Sequence, residues 1–93
     1  MRKQFMCSLC RNGILGGALY LESDFVIYRT QKLTVNEKFR NLVLPIRDIR
    51  DITWTWILFP VASFYMSDGE IYRFIIFNRS RFERHYAKCK EAG

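Results

Sequence analysis

Hydrophobic and polar residues alternate along most of this chain, and only the last stretch follows a helical period. Leu19 and Leu21 alternate with polar or small neighbours, Ser23-Asp24 marks a turn, and Phe25-Val26-Ile27-Tyr28-Arg29 reads as the return strand, so residues 17–30 form a hairpin. Residues 3–9 read as an earlier strand, with Gly13, Gly16 and Gly17 bracketing a loop. Residues 31–40 are mostly polar and are expected to be the most flexible connection. Leu42, Leu44 and Ile46 share one face of the next strand. Pro45 lacks a ladder donor and places that strand at an edge or end. Residues 47–51 turn the chain. Ile52, Trp54, Trp56 and Leu58 then recur at period two with Thr53 and Thr55 between them. Pro60 interrupts, and residues 61–66 make a further strand. Asp68-Gly69 between two apolar runs predicts a two-residue type I′ hairpin. In the strand after it, Tyr72, Phe74 and Ile76 oppose Ile71, Arg73, Ile75 and Phe77.

From residues 79–81 the period changes. Phe82, His85, Tyr86 and Cys89 fall at i, i+3, i+4 and i+7, one stripe of a helix that needs a sheet to lie on. Two starts fit. Ser80 with Glu83 makes a capping box, or Asn78 caps while Phe77 staples onto Phe82. Six or seven strands followed by one helix make a single mainly β domain over residues 1–93.

Three stretches carry a resemblance. Gly16-Gly17-Ala18-Leu19-Tyr20-Leu21 with Phe25-Val26-Ile27-Tyr28 resembles the opening hairpin of GRAM domains. Leu44-Pro45-Ile46-Arg47-Asp48-Ile49-Arg50-Asp51-Ile52 resembles their next strand and turn. Asp68-Gly69-Glu70-Ile71-Tyr72-Arg73-Phe74 is similar to their closing strand before the terminal helix. The likeness runs over residues 14–90. It implies a pleckstrin-homology-like barrel of two near-orthogonal antiparallel sheets, capped by the C-terminal helix.

Charge then narrows the partners. The 93 residues carry a net charge of +6, which favours anionic surfaces and phosphate groups. Domains of the resembled kind often hold lipid phosphates between basic residues of their first two strands, but that loop carries only Arg11 here, with Lys3 before it. The expected lipid or anion site is instead Arg29, Lys32, Lys38 and Arg40, around the polar connection. A second basic group, Arg79, Arg81, Arg84, Lys88 and Lys90, lies on the helix and reads as solvated surface. Aromatic residues make up 16% of the chain, but they sit in strands that read as buried, which disfavours nucleic acid.

The most apolar run, Trp54-Thr55-Trp56-Ile57-Leu58-Phe59-Pro60, has three readings: core, membrane interface, or a protein interface made by Trp54, Trp56, Leu58 and Phe59. It is far too short to span a bilayer. Cys7-x-x-Cys10 and His85-x-x-x-Cys89 together would supply four tetrahedral zinc ligands. The preferred reading holds no metal, because Cys89 fits the apolar stripe and the two halves are nearly a whole chain apart. One histidine and no nucleophile–base motif or phosphate loop argue against an enzyme and against a cofactor. Three cysteines without an export signal predict reduced thiols and a cytoplasmic protein, peripheral to a membrane at most. The expected activity is therefore non-catalytic: peripheral binding to an anionic membrane surface or lipid head group. The alternative is a protein–protein or self-assembly module, including a homo-oligomer, built on residues 54–60.

Overall fold

The alternating residues point where their periods place them. Leu19, Leu21, Leu42, Leu44, Tyr72, Phe74 and Ile76 all enter one core. The computed structural model describes residues 2–10, 13–30 and 40–92. These residues form seven antiparallel strands in one curled, half-barrel sheet, and a C-terminal helix. The strands are β1 (Lys3–Cys10), β2 (Ile14–Leu21), β3 (Phe25–Arg29), β4 (Asn41–Pro45), β5 (Ile49–Ile57), β6 (Phe59–Met66) and β7 (Ile71–Ile76); the helix is α1 (Arg79–Ala92). Their order across the sheet is β4-β3-β2-β1-β7-β6-β5. The first strand of the chain is thus the central strand of the sheet. Strand twist accumulated over seven neighbours curls the sheet, and its concave face needs a cover. Phe82 of α1 supplies it, packed edge-on against Phe5 at 5.3 Å and tilted on Phe64 at 6.0 Å.

Several local expectations are corrected. β2 starts at Ile14, so Gly16, expected to bracket a loop, lies inside the strand with Gly17. Gly17 is needed there because its Cα faces the Tyr28 ring and the Arg29 carbonyl with no room for a side chain. Pro60 does not interrupt a strand but lies buried near the start of β6, opposite Trp56. β5 starts at Ile49, inside the expected turn, after a 3-10 turn at Ile46–Asp48, and carries a bulge between Ile49 and Asp51. At Asp68-Gly69 only Gly69 has positive φ (+93°), and Met66 N–H bonds to the Glu70 carbonyl at 2.9 Å. The loop is therefore three residues long with a left-handed glycine last, not a type I′ pair. The Asp68 carboxylate accepts the Glu70 N–H at 2.9 Å.

Of the two helix starts, Asn78 is the cap: its side-chain oxygen accepts the Arg81 N–H at 3.3 Å. Glu83 pairs with Arg79 one turn back at 2.6 Å. The ring of Phe77 meets Phe59 edge-on at 5.5 Å. At the far end of α1, Lys90 Nζ donates to the carbonyls of Ile49 (2.9 Å) and Ile46 (3.4 Å), which ties the helix to the corner between β4 and β5.

Tyr86 stacks on Phe82 at 5.7 Å. Its phenol is pushed up to about 12, first by desolvation and then by the nearby Asp51 and Cys89. Because the folded value lies above the unfolded one, this group leaves stability unchanged below about pH 10 and weakens the fold as pH rises from there towards 12. Unfolding curves taken between pH 9 and about 12 are expected to show a steeper loss for the wild type than for Tyr86→Phe. Parallel losses would contradict this.

Candidate functional site

The tip of the β5–β6 hairpin is built from large apolar residues that leave the core. Ile57 pairs with Phe59, and Leu58 alone makes the turn. Closing so tight a turn puts Leu58 at φ +63°, the left-handed region that a leucine occupies at a cost of about 1–2 kcal/mol. Leu58 is 83% exposed and Trp56 71%, and Ile57 and Phe59 are exposed as well. No charged residue lies between Asp51 and Asp68.

The apolar surface continues sideways across the sheet. Cross-strand register sets Ile57 beside Phe59, Phe59 beside Phe77, and Phe77 beside Met6, whose carbonyl accepts the Phe77 N–H at 3.3 Å. Met6 is 76% exposed. The row thus runs over β5, β6, the end of β7 and β1 on one face of the sheet.

Arginines lie over the other face, the one that Trp54 and Phe5 share with the core. Arg79 lies 4.8 Å above the Trp54 ring, and Arg81 lies 4.5 Å from the Phe5 ring while donating to the Gln4 carbonyl at 2.8 Å. His85 is held below its ordinary pKa, first by desolvation and then by the positive charges of Lys3, Arg84, Arg81 and Lys88. The N-terminal half of α1 and the start of β1 therefore form one field of positive potential on the core side of the sheet, the face opposite the apolar row.

The residues expected at sites distribute as follows. Trp56, Leu58 and Phe59 stand at the tip, but Trp54 is half-buried against Phe82, with rings 6.1 Å apart. Arg29 is bonded through Nε to the Asn41 side chain at 3.0 Å and lies 5.7 Å from the Tyr20 ring. Arg40 has a buried Nε with no hydrogen-bond partner. The two arginines share a shallow cavity of about 610 Å³ with Tyr20, Thr30 and Asn41. Lys32 and Lys38 lie outside the described residues. Arg29 on β3 is separated from the tip by β2, β1 and β7, so the expected anion set and the apolar tip are distinct places.

The four candidate zinc ligands are not brought together: among the described residues no group of three or more His, Cys, Asp or Glu could hold a metal. The reason is strand parity. Cys7 and Cys10 are three apart on β1 and point to opposite faces. Cys7 is buried in the core, and that burial raises its thiol far above the ordinary range, against the thiolate a metal needs. Cys89 packs against the core from α1, and His85 lies among basic groups. All three thiols are free.

Met6, Ile57 and Phe77 belong to the apolar surface without having been expected there. Ile57 lay within the apolar run but outside the expected interface set, Phe77 was expected to staple onto Phe82, and Met6 joins them only through the β1–β7 pairing, which no local pattern announces. No family model and no curated protein matches this chain. No helix among the described residues is long and apolar enough to cross a membrane.

Proposed function

We propose that this chain is a non-catalytic, pleckstrin-homology-like interaction module that attaches peripherally to an anionic membrane surface through the β5–β6 tip. The observation that carries the reading is the tip itself: a charge-free turn in which a strained leucine is held out in solvent. Core packing gives no reason for it. Entry of the tip into the interfacial layer does, since each large aliphatic or aromatic side chain removed from water contributes about 1.5–3 kcal/mol. Trp56 suits the same depth, where indoles are favoured. Arg79, which lies over the Trp54 ring on the face that Trp56 shares, would meet lipid phosphates, adding about 1 kcal/mol near an anionic surface. The pleckstrin-homology-like assignment draws support from the strand order: a β1–β4 meander and a β5–β7 meander are joined through three β1–β7 pairs, with α1 on the concave side.

Flotation with vesicles tests this. Wild type is expected to bind anionic vesicles and to bind them more weakly as salt rises. Leu58→Glu is expected to reduce binding about tenfold or more while leaving the melting temperature unchanged or higher. Equal binding by Leu58→Glu and wild type would overturn the proposal. The same apolar tip also fits a protein partner. In that case association persists at high salt and needs no vesicle.

A further inference from the structure

The two edges of the sheet are unlike. β4 is five residues long and ends in Pro45, which has no N–H to offer a new strand. β5 is nine residues long and, among the described residues, pairs only with β6. Part of its outer edge is already taken. The Ile49 carbonyl accepts Lys90, and the Ile52 N–H goes to the Asp51 carboxylate at 2.9 Å rather than to β6. Backbone polar groups of alternate residues in a strand turn the same way, so Trp54 and Trp56 also direct N–H and C=O away from β6. Pro60 opposite Trp56 agrees, since it could donate nothing to that pair. Among the described residues no group outside the sheet takes the backbone of Trp54 or Trp56. Residues 53–57 are therefore an open edge.

That window reads alike from both ends. Around Thr55 stand Trp54 and Trp56, and outside them the β-branched Thr53 and Ile57. We infer that two copies of this chain pair through the free edge of β5, antiparallel, about a two-fold axis at Thr55. In that register each Trp54 faces the Trp56 of the second copy, Thr55 faces Thr55, and Thr53 faces Ile57. Trp54 and Trp56 of each copy exchange backbone hydrogen bonds, four across the axis. Aromatic pairs and threonine pairs are favourable across strands. The positive charge of each chain does not oppose the contact locally, because residues 52–67 carry none. β5 ends at Ile57 and the chain turns back at Leu58, so Asp51 and Arg50 of each copy lie past the paired window, beyond the other copy's hairpin tip. The pairing is isologous and closes on itself, joining two seven-stranded sheets through their β5 strands. It does not depend on the membrane reading.

The experiment is sedimentation equilibrium on the full chain, with variants at Thr55, whose side chain is exposed. Wild type is expected to dimerise. Thr55→Lys and Thr55→Glu each set like charges face to face on the axis, and each alone is expected to dissociate about tenfold or more readily while folding normally. An equimolar mixture of the two is expected to restore the dimer as a heterodimer. A wild type that is monomeric at every concentration overturns the inference, as do charge variants that remain dimeric or a mixture that stays monomeric. Dissociation by Leu58→Glu but not by Thr55→Lys would place the contact at the hairpin tip and overturn the edge.

Discussion

Phe82→Ala is expected to cost about 3–5 kcal/mol of folding stability, the largest effect of any single truncation proposed for this chain. Phe82 is 1% exposed, the most deeply buried side chain of α1 among the described residues, with Tyr86 and Cys89 packed against the same core. Four rings close on it: Phe5, Trp54, Phe64 and Tyr86, with centroids between 5.3 and 6.1 Å. Alanine leaves a cavity that the strands cannot collapse into without unpairing. Domains of this size have a total stability of about 5–14 kcal/mol, so most of it is at stake. The check is urea unfolding followed by tryptophan emission, since Trp54 reports on this cluster directly. Phe82→Leu keeps much of the volume and should cost less than half as much. A loss below about 1 kcal/mol for Phe82→Ala would show that α1 is not held by this contact.

Gly17→Ala is expected to be the second most damaging change, although it adds only one methyl group. That methyl would overlap the Arg29 carbonyl oxygen and come within 2.9 Å of Cε1 of Tyr28. Neither neighbour can yield easily. Arg29 is in the β2–β3 ladder, and the Tyr28 hydroxyl donates to the Leu15 carbonyl at 2.6 Å, which pins the ring. Overpacking against fixed groups costs about 3 kcal/mol, which for a chain of this length lowers the melting temperature by more than about 10 °C. Gly16→Ala is the control. Nothing lies within 4 Å of its added carbon, so it should be neutral or slightly stabilising. Similar melting temperatures for the two variants would refute the crowding at Gly17.

These residues also mark where sequence patterns stop being legible. Period-two alternation located the core side chains of β2, β4 and β7, because a buried face leaves its imprint on every second residue. Gly16-Gly17 read as the border of a loop because glycine is poor in strands. The reason it is there is the ring of Tyr28, a contact made across the β2–β3 ladder. Trp54 and Trp56 share one face by period, yet one is half-buried and the other mostly exposed. The difference lies in how far Phe82 reaches along β5, a tertiary distance that no local pattern encodes. The same holds for the apolar site. Its tip could be read in the uncharged run, whereas Met6 joins it only through a pairing between residues some seventy positions apart. The zinc constellation failed for a reason that was present locally: a spacing of three converges on a helix and diverges on a strand.

The central place of β1 has a consequence for synthesis. Its Cys7, Ser8 and Leu9 pair on one side with β2, close in sequence, and on the other with Phe74, Ile75 and Ile76 of β7. At about 5–20 residues per second, several seconds pass on the ribosome between the emergence of the two partners. During that interval the middle of the eventual sheet is an outer edge, carrying Cys7 and Leu9 uncovered. The nascent chain is therefore most exposed to mispairing at the strand that ends up best protected.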